Sequence, residues 1–171
     1  MQTNNRFKRL WQHWTLPSWR IKKLFPTAML QRLENQIALS EAQHLGQIRF
    51  VIETNMDTSD VLRGLLPRER AQQYFSSLEV WDTAYNTGVL LYIGCADHAL
   101  EIIADRGISV KVDAEVWRGI CKELGQAFAK ERYQQGLELA LQEITAVLIS
   151  HVPRDGLHPL QDNISNEVVL K

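Results

Sequence analysis

Only two cysteines, Cys95 and Cys121, occur among the 171 residues, far apart and each among apolar neighbours. They form neither a metal-binding spacing nor a disulfide framework, so both read as core thiols. No run of apolar residues approaches the roughly 20 needed to cross a bilayer. The recognisable catalytic signatures are absent too: there is no P-loop, no G-x-S-x-G, no H-E-x-x-H, no C-x-x-C and no EF-hand loop. His44, His98 and His151 share no spacing that would mark a metal site. Acidic residues are missing altogether from the first 33 positions.

What is present describes a folded domain. The 45% hydrophobic and 23% charged fractions are those of a globular chain, and the length suits one domain with its own core. The net charge of −1 hides a division. Seven of the 19 basic side chains (Arg6, Lys8, Arg9, Arg20, Lys22, Lys23 and Arg32) lie in residues 1–33, which leaves 12 basic against 20 acidic elsewhere, a net of −8. A basic arm attached to an acidic body seeks anions. The basic start is not followed by the apolar segment of a secretory signal; a transit peptide, which shares its Arg-rich and acid-poor character, stays open.

Phe7, Leu10, Trp11 and Trp14 make the i, i+3, i+4, i+7 stripe of an amphipathic helix, with Lys8, Arg9, Gln12 and His13 on its other face. Pro17 ends it, and a basic, aromatic stretch runs from Trp19 to Phe25. Two readings are open: an interfacial helix on anionic lipid, or an aromatic stripe docked on the domain's own core or a partner helix. Leu30, Leu33 and Ile37 predict a helix from Thr27 to about Gln43. Residues 47–54 alternate as a strand, 58–66 form a short helix or turn, and Pro67 opens a helix through Leu78. Residues 87–96 and 99–105 are the clearest strands, joined by Asp97 and His98 as a tight hairpin turn. Asp113 caps a helix striped by Trp117, Ile120 and Leu124, and a last helix runs from Tyr133 to His151. From Pro153 the periodicity ends.

This order predicts a three-layer α/β/α sandwich with a central mixed sheet. The segments are a basic, Trp-rich arm over 1–25, an α/β domain over 26–152 and a disordered tail over 153–171. Arg49 and Glu53 share one face of the first strand, so either that face is open or the charges pair. Arg68, Glu69 and Arg70 read as a solvated turn.

The hairpin geometry brings Asp82 and Asn86, before one strand, beside Asp105 and Arg106, after the next. Oxygen donors from Asp and Asn suit Ca²⁺ or Mg²⁺, and Arg106 suits a phosphate or carboxylate. The plainer alternative is an Asx turn at Asp82 and Asn86, with Asp105 capping the next helical turn.

The segment LEVWDTAYNTGVLLYIGCADHALEIIADRGI, residues 78–108, resembles the TPM-domain family. Further likeness to its short bacterial branch lies in FPTAMLQRLENQIALSEAQHLGQIRFVIE, LPRERAQQYFSSL and the stretch from Val116 to Pro153. The resemblance implies an α/β/α sandwich. It also implies acid phosphatase activity, as in plant members, or Ca²⁺ binding at an acidic cleft with Asp82, Asn86 and Asp105 as ligands. The expectation is a cytoplasmic accessory module, peripheral on the membrane through its arm, that binds a divalent cation or a protein partner at the cleft. The alternative is a metal-assisted phosphatase in which Asp82 and Asp105 hold the metal and Arg106 the phosphoryl oxygens. Nucleic acid is not an expected partner, since the body's charge opposes it.

Overall fold

A strand with the apolar run VLLYI needs cover on both faces, and here it gets it. The computed structural model describes residues 2–154 and 165–171, with side chains from Phe7 onward. β1 (Gln47–Glu53) and β2 (Gly88–Gly94) are parallel and buried along their whole length. β3 (Ala99–Ala104) adds antiparallel to β2, and β4 (Val169–Leu170) adds parallel to β1, giving the order β3-β2-β1-β4.

Alternate residues of each strand feed opposite layers. Ile48, Phe50, Ile52, Val89, Leu91 and Ile93 pack under α2 (Ser18–Leu24), α3 (Thr27–Glu41), α7 (Ala114–Ala129) and α8 (Tyr133–His151). Val51, Leu90, Tyr92 and Ile103 pack on the other side, with residues of α4 (Thr58–Arg63), α5 (Pro67–Ser77) and Leu10 of α1 (Gln2–Thr15). The result is the expected α/β/α sandwich with a mixed sheet. Local signals set its element ends. The Glu69 carboxylate accepts from the Leu66 amide at 2.7 Å at the start of α5, and Asp113 accepts from the Glu115 amide at 2.8 Å at the start of α7.

Three expectations are corrected. The hairpin turn is not Asp97-His98 alone: Gly94 pairs with Ala99, so Cys95–His98 form a four-residue loop. The Cys95 and Ala96 amides donate to Glu53 and Thr54 carbonyls at 2.9 and 3.2 Å, so β1 takes the end of β2 away from β3. The offset is an even number of residues, so every side chain keeps its face. The tail is not disordered at residues 165–171. The Lys171 amide donates to Ile52 at 2.9 Å, the Val168 amide donates to Glu34, and the Arg49 guanidinium donates to the Ser165 carbonyl. β1 would otherwise expose a row of unpaired backbone groups, and the returning segment satisfies them. The remainder of the expected tail, 155–164, lies outside the described residues.

The third correction concerns Arg70, which is not part of a solvated turn. Glu53, 2% exposed, accepts from the Tyr74 and Tyr92 hydroxyls at 2.7 Å each and from Arg70 Nε and Nη2 at 3.0 and 2.5 Å. The Arg70 guanidinium also lies 4.8 Å over the Tyr74 ring. Of the two charges on the covered strand, Glu53 therefore pairs, with Arg70, whereas Arg49 donates to the Ser165 carbonyl. Burial, followed by the neighbouring Glu53 carboxylate, pushes both tyrosine hydroxyls above their ordinary range.

His44 supplies a pH-dependent element of the same core. Its Nε2 lies 3.0 Å from Ser40 Oγ, and the Gly46 amide donates to Nδ1 at 3.2 Å. Burial lowers its pKa to about 4, against an unfolded value of about 6.5. The unfolded chain therefore binds the extra proton first as pH falls. Stability is full above pH 6.5 and drops by about 3 kcal/mol between there and pH 4. Urea melts across that range should lose this slope in His44→Gln, and a wild-type stability flat from pH 7 to 4 would refute the assignment.

Candidate functional site

Loop 80–88 closes on itself and on the chain just after β3 so tightly that two positions admit no side chain. A Cβ at Gly88 would stand 1.9 Å from the Val80 carbonyl oxygen, and one at Gly107 would stand 2.4 Å from the Tyr85 oxygen. Backbone bonds close the joint: the Asp105 amide donates to Gly88 at 2.9 Å and the Gly107 amide to Asn86 at 2.8 Å. Loops distant along the chain do meet here.

Of the four residues expected at this cleft, three come together. Arg106 donates from Nε and Nη2 to Asn86 Oδ1 at 3.2 and 3.0 Å, with Asn86 held at φ 53°. Asp105 caps the short helix α6 (Arg106–Ser109), its Oδ1 accepting from the Arg106 amide at 2.7 Å. Its Oδ2 is buried and has no hydrogen-bond partner. Asp82 is exposed on the preceding turn, where its amide donates to Glu79 at 2.8 Å, and its side chain makes no hydrogen bond to the other three. Among the described residues no group of three or more His, Cys, Asp or Glu side chains is placed to hold a metal. The donors that are present, a lone carboxylate oxygen and an amide oxygen, suit a hard cation chemically. The guanidinium on Asn86 Oδ1 opposes one.

The opposite end of the sheet holds a second constellation. α1 crosses the hairpin loop, and Arg9 grips Asp97 in bidentate fashion, Nε to Oδ1 and Nη2 to Oδ2, both at 2.7 Å. His13 is buried beside it. Its Nδ1 accepts from the Met56 amide at 2.9 Å, and its Nε2 stands 3.2 Å from Asp97 Oδ1, near enough for attraction but outside a well-aligned hydrogen bond. Burial alone would raise the Asp97 carboxyl; the bond from Arg9 and the proximity of His13 outweigh it and hold the group well below the usual carboxylate range.

The docked face of α1 is thus its polar one. Phe7 and Trp11 point away from the domain at 70 and 68% exposure, Trp19 of α2 stands at 67%, and Trp14, 66% exposed, touches the domain through its indole N–H, which donates to Thr58 Oγ1 of α4 at 3.0 Å. Of the stripe only Leu10 packs inward. α2 behaves in the ordinary way: Ile21 and Phe25 enter the main core while Arg20, Lys22 and Lys23 stay in solvent. The aromatic stripe does not dock on the domain's own core, which removes that part of one of the two sequence readings. A charged face with histidine gave no signal of being the buried one; its partner, Asp97, read only as a turn residue.

The family model described as the TPM domain matches residues 22–147. The chain belongs to the TPM-domain family. This TPM domain also resembles the BA42 protein of the psychrophilic bacterium Bizionia argentinensis, solved by NMR, with a TM-score of 0.72 at 21% identity. The likeness covers 84% of this chain and 93% of that one, and at this identity it concerns the fold. No curated protein matches the chain. The family match begins within α2, so the whole of α1, with its outward tryptophans and its grip on Asp97, lies outside it.

Proposed function

We propose that this chain is a TPM-domain binding module that rests on an anionic lipid surface through its N-terminal helices. The exposed stripe of Phe7, Trp11 and Trp14 carries the reading, because a helix that docks through arginine and histidine leaves these aromatic faces open to solvent, Trp14 being tied to the domain only by its indole N–H on Thr58. Tryptophan favours the boundary between headgroups and acyl chains. The exposed cations Lys8, Arg20, Lys22 and Lys23 would add about 1 kcal/mol each near an anionic surface. No described helix is long and apolar enough to cross a membrane, so the contact is with the surface.

The test is co-sedimentation with phosphatidylserine-containing vesicles. Deleting the helices is unsuitable, since Ile21 and Phe25 belong to the core. A Phe7→Ser, Trp11→Ser, Trp14→Ser variant should lose binding by 10-fold or more while its melting temperature falls by no more than a few degrees, the share of the lost Trp14–Thr58 bond, and wild-type binding should weaken with salt. Equal sedimentation of both proteins would refute the reading. Failure of wild type to bind vesicles while it captures a protein through the same stripe would replace lipid with a partner.

A second reading concerns the cleft, and the partnerless Oδ2 of Asp105 favours it: a divalent cation would satisfy that oxygen, with Asn86 joining once Arg106 swings aside and exposed Asp82 closing from its turn. Calorimetric titration of Ca²⁺ and Mg²⁺ should then give saturable heat in wild type and none in Asp105→Asn or Asp82→Asn. Phosphomonoester hydrolysis abolished by Asp105→Asn would extend it to the phosphatase chemistry of the resemblance. Identical titrations of wild type and Asp105→Asn would remove both.

A further inference from the structure

At the hairpin end of the sheet, where the parallel strands β1 and β2 finish, a cavity of about 620 Å³ opens between α2, the β2–β3 loop and the facing sides of α7 and α8. Small-molecule sites commonly measure about 300–1,000 Å³ and collect beyond the carboxyl ends of parallel strands. Its walls are mainly apolar: Leu24, Phe25, Leu100 and Phe128 contribute, with Phe25, Phe128 and Tyr133 locked as an aromatic trio at centroid distances of 5.1–5.9 Å. Among the described residues only Arg20 and His98 bring basic groups, both are exposed, and none of the lining residues is a carboxylate.

Gly125 of α7 contributes room. A glycine inside a helix costs about 1 kcal/mol relative to alanine. Its backbone does not need the left-handed region, and a Cβ there would meet only Leu100 Cδ1, at an ordinary 3.5 Å. Neither conformation nor close packing therefore requires glycine. What the missing side chain leaves is open volume in the cavity wall.

We infer that this cavity binds a single long-chain carboxylate, with its hydrocarbon among Leu24, Phe25, Leu100 and Phe128 and its charged end at Arg20. The shape of the chemistry selects it. An apolar chamber rejects small hydrated anions, a lone guanidinium at the rim selects a terminal negative charge, and the lack of acidic lining disfavours amines. Cys95 also lines the space, but burial pushes its thiol up to about 12, so it serves as wall rather than nucleophile.

Calorimetric titration of the full chain with dodecanoate below its micellar concentration, without vesicles, tests this directly. Saturable binding of one dodecanoate per chain is expected, with none for butyrate. Arg20→Gln should weaken dodecanoate roughly tenfold, as for one charge-assisted bond, and leave dodecanol unchanged. Gly125→Leu should abolish both while holding or raising the melting temperature. Should that variant fold poorly, Ala129→Leu at an exposed position of the same lining reads the same occlusion. The variant lacking Phe7, Trp11 and Trp14 should bind dodecanoate as wild type does, which separates this site from lipid-surface binding. Absence of saturable binding, equal loss of both ligands in Arg20→Gln, or undiminished binding in a folded Gly125→Leu or Ala129→Leu would each overturn it.

Discussion

Glu53→Ala should cost about 3–5 kcal/mol, the largest stability loss expected of a single substitution here. The figure is the usual penalty for removing one side of a buried ion pair. The change strands three donors together: the hydroxyls of Tyr74 and Tyr92 and the guanidinium of Arg70. The hydroxyls cannot turn to water without opening the layer formed by α5 and the sheet, because Tyr74 and Tyr92 are buried and stacked at 5.8 Å, whereas Arg70 keeps Gln73 and, at 3.7 Å, Asp60. Against a total of about 5–15 kcal/mol, such a loss approaches unfolding. Tyr92→Phe removes a donor rather than the acceptor, so its cost should stay near 1 kcal/mol. Urea denaturation orders the two variants, and a Glu53→Ala loss below about 1 kcal/mol would show that the cluster relaxes into solvent, contrary to its burial.

Asp97→Ala should release α1 from the domain, at about 3 kcal/mol. Arg9 would then be left beside a buried, uncompensated site, and His13 would lose its charged neighbour. Limited trypsin digestion reads the result without a full unfolding experiment: cleavage at Lys8 and Arg9 should accelerate in Asp97→Ala and in Arg9→Ala. The double variant should be no worse than either single one, giving a coupling energy of about 1–3 kcal/mol. Two independent losses that simply add would sever the link. The pH response follows from the depressed carboxyl. Its unfolded counterpart titrates near 3.9, so the pair contributes fully above that value and is lost only as pH falls through the lower folded one. Resistance of the helix to pepsin, which cleaves in acid, should therefore persist in wild type at pH 4.

The two halves of the cleft differed in how far local reasoning could place them. Asn86 and Arg106 meet because a hairpin of any register with this parity brings the start of β2 beside the end of β3, and that much follows from chain geometry. Asp82 does not join them, because a turn at Glu79–Asp82 sets its direction, and no periodicity encodes such a turn. Glu53 was visible as a problem, a charge on a covered strand, but its solution needed Arg70 and Tyr74 from α5. Nothing in the 16 residues between Glu53 and Arg70 announces that those side chains cross to it.

By itself the sequence determined the layers, a mixed sheet containing one hairpin, the Asp113 cap and the family, because periodicity and backbone preference are local quantities that survive without a partner. The tertiary structure alone decided which face of α1 is buried, where the C-terminal strand pairs and that a chamber opens under α2. Those outcomes depend on competition between distant surfaces. A bidentate arginine on a fixed carboxylate sets the face of α1 that docks and leaves Phe7 and Trp11 in solvent, and only the assembled molecule reveals where that carboxylate stands.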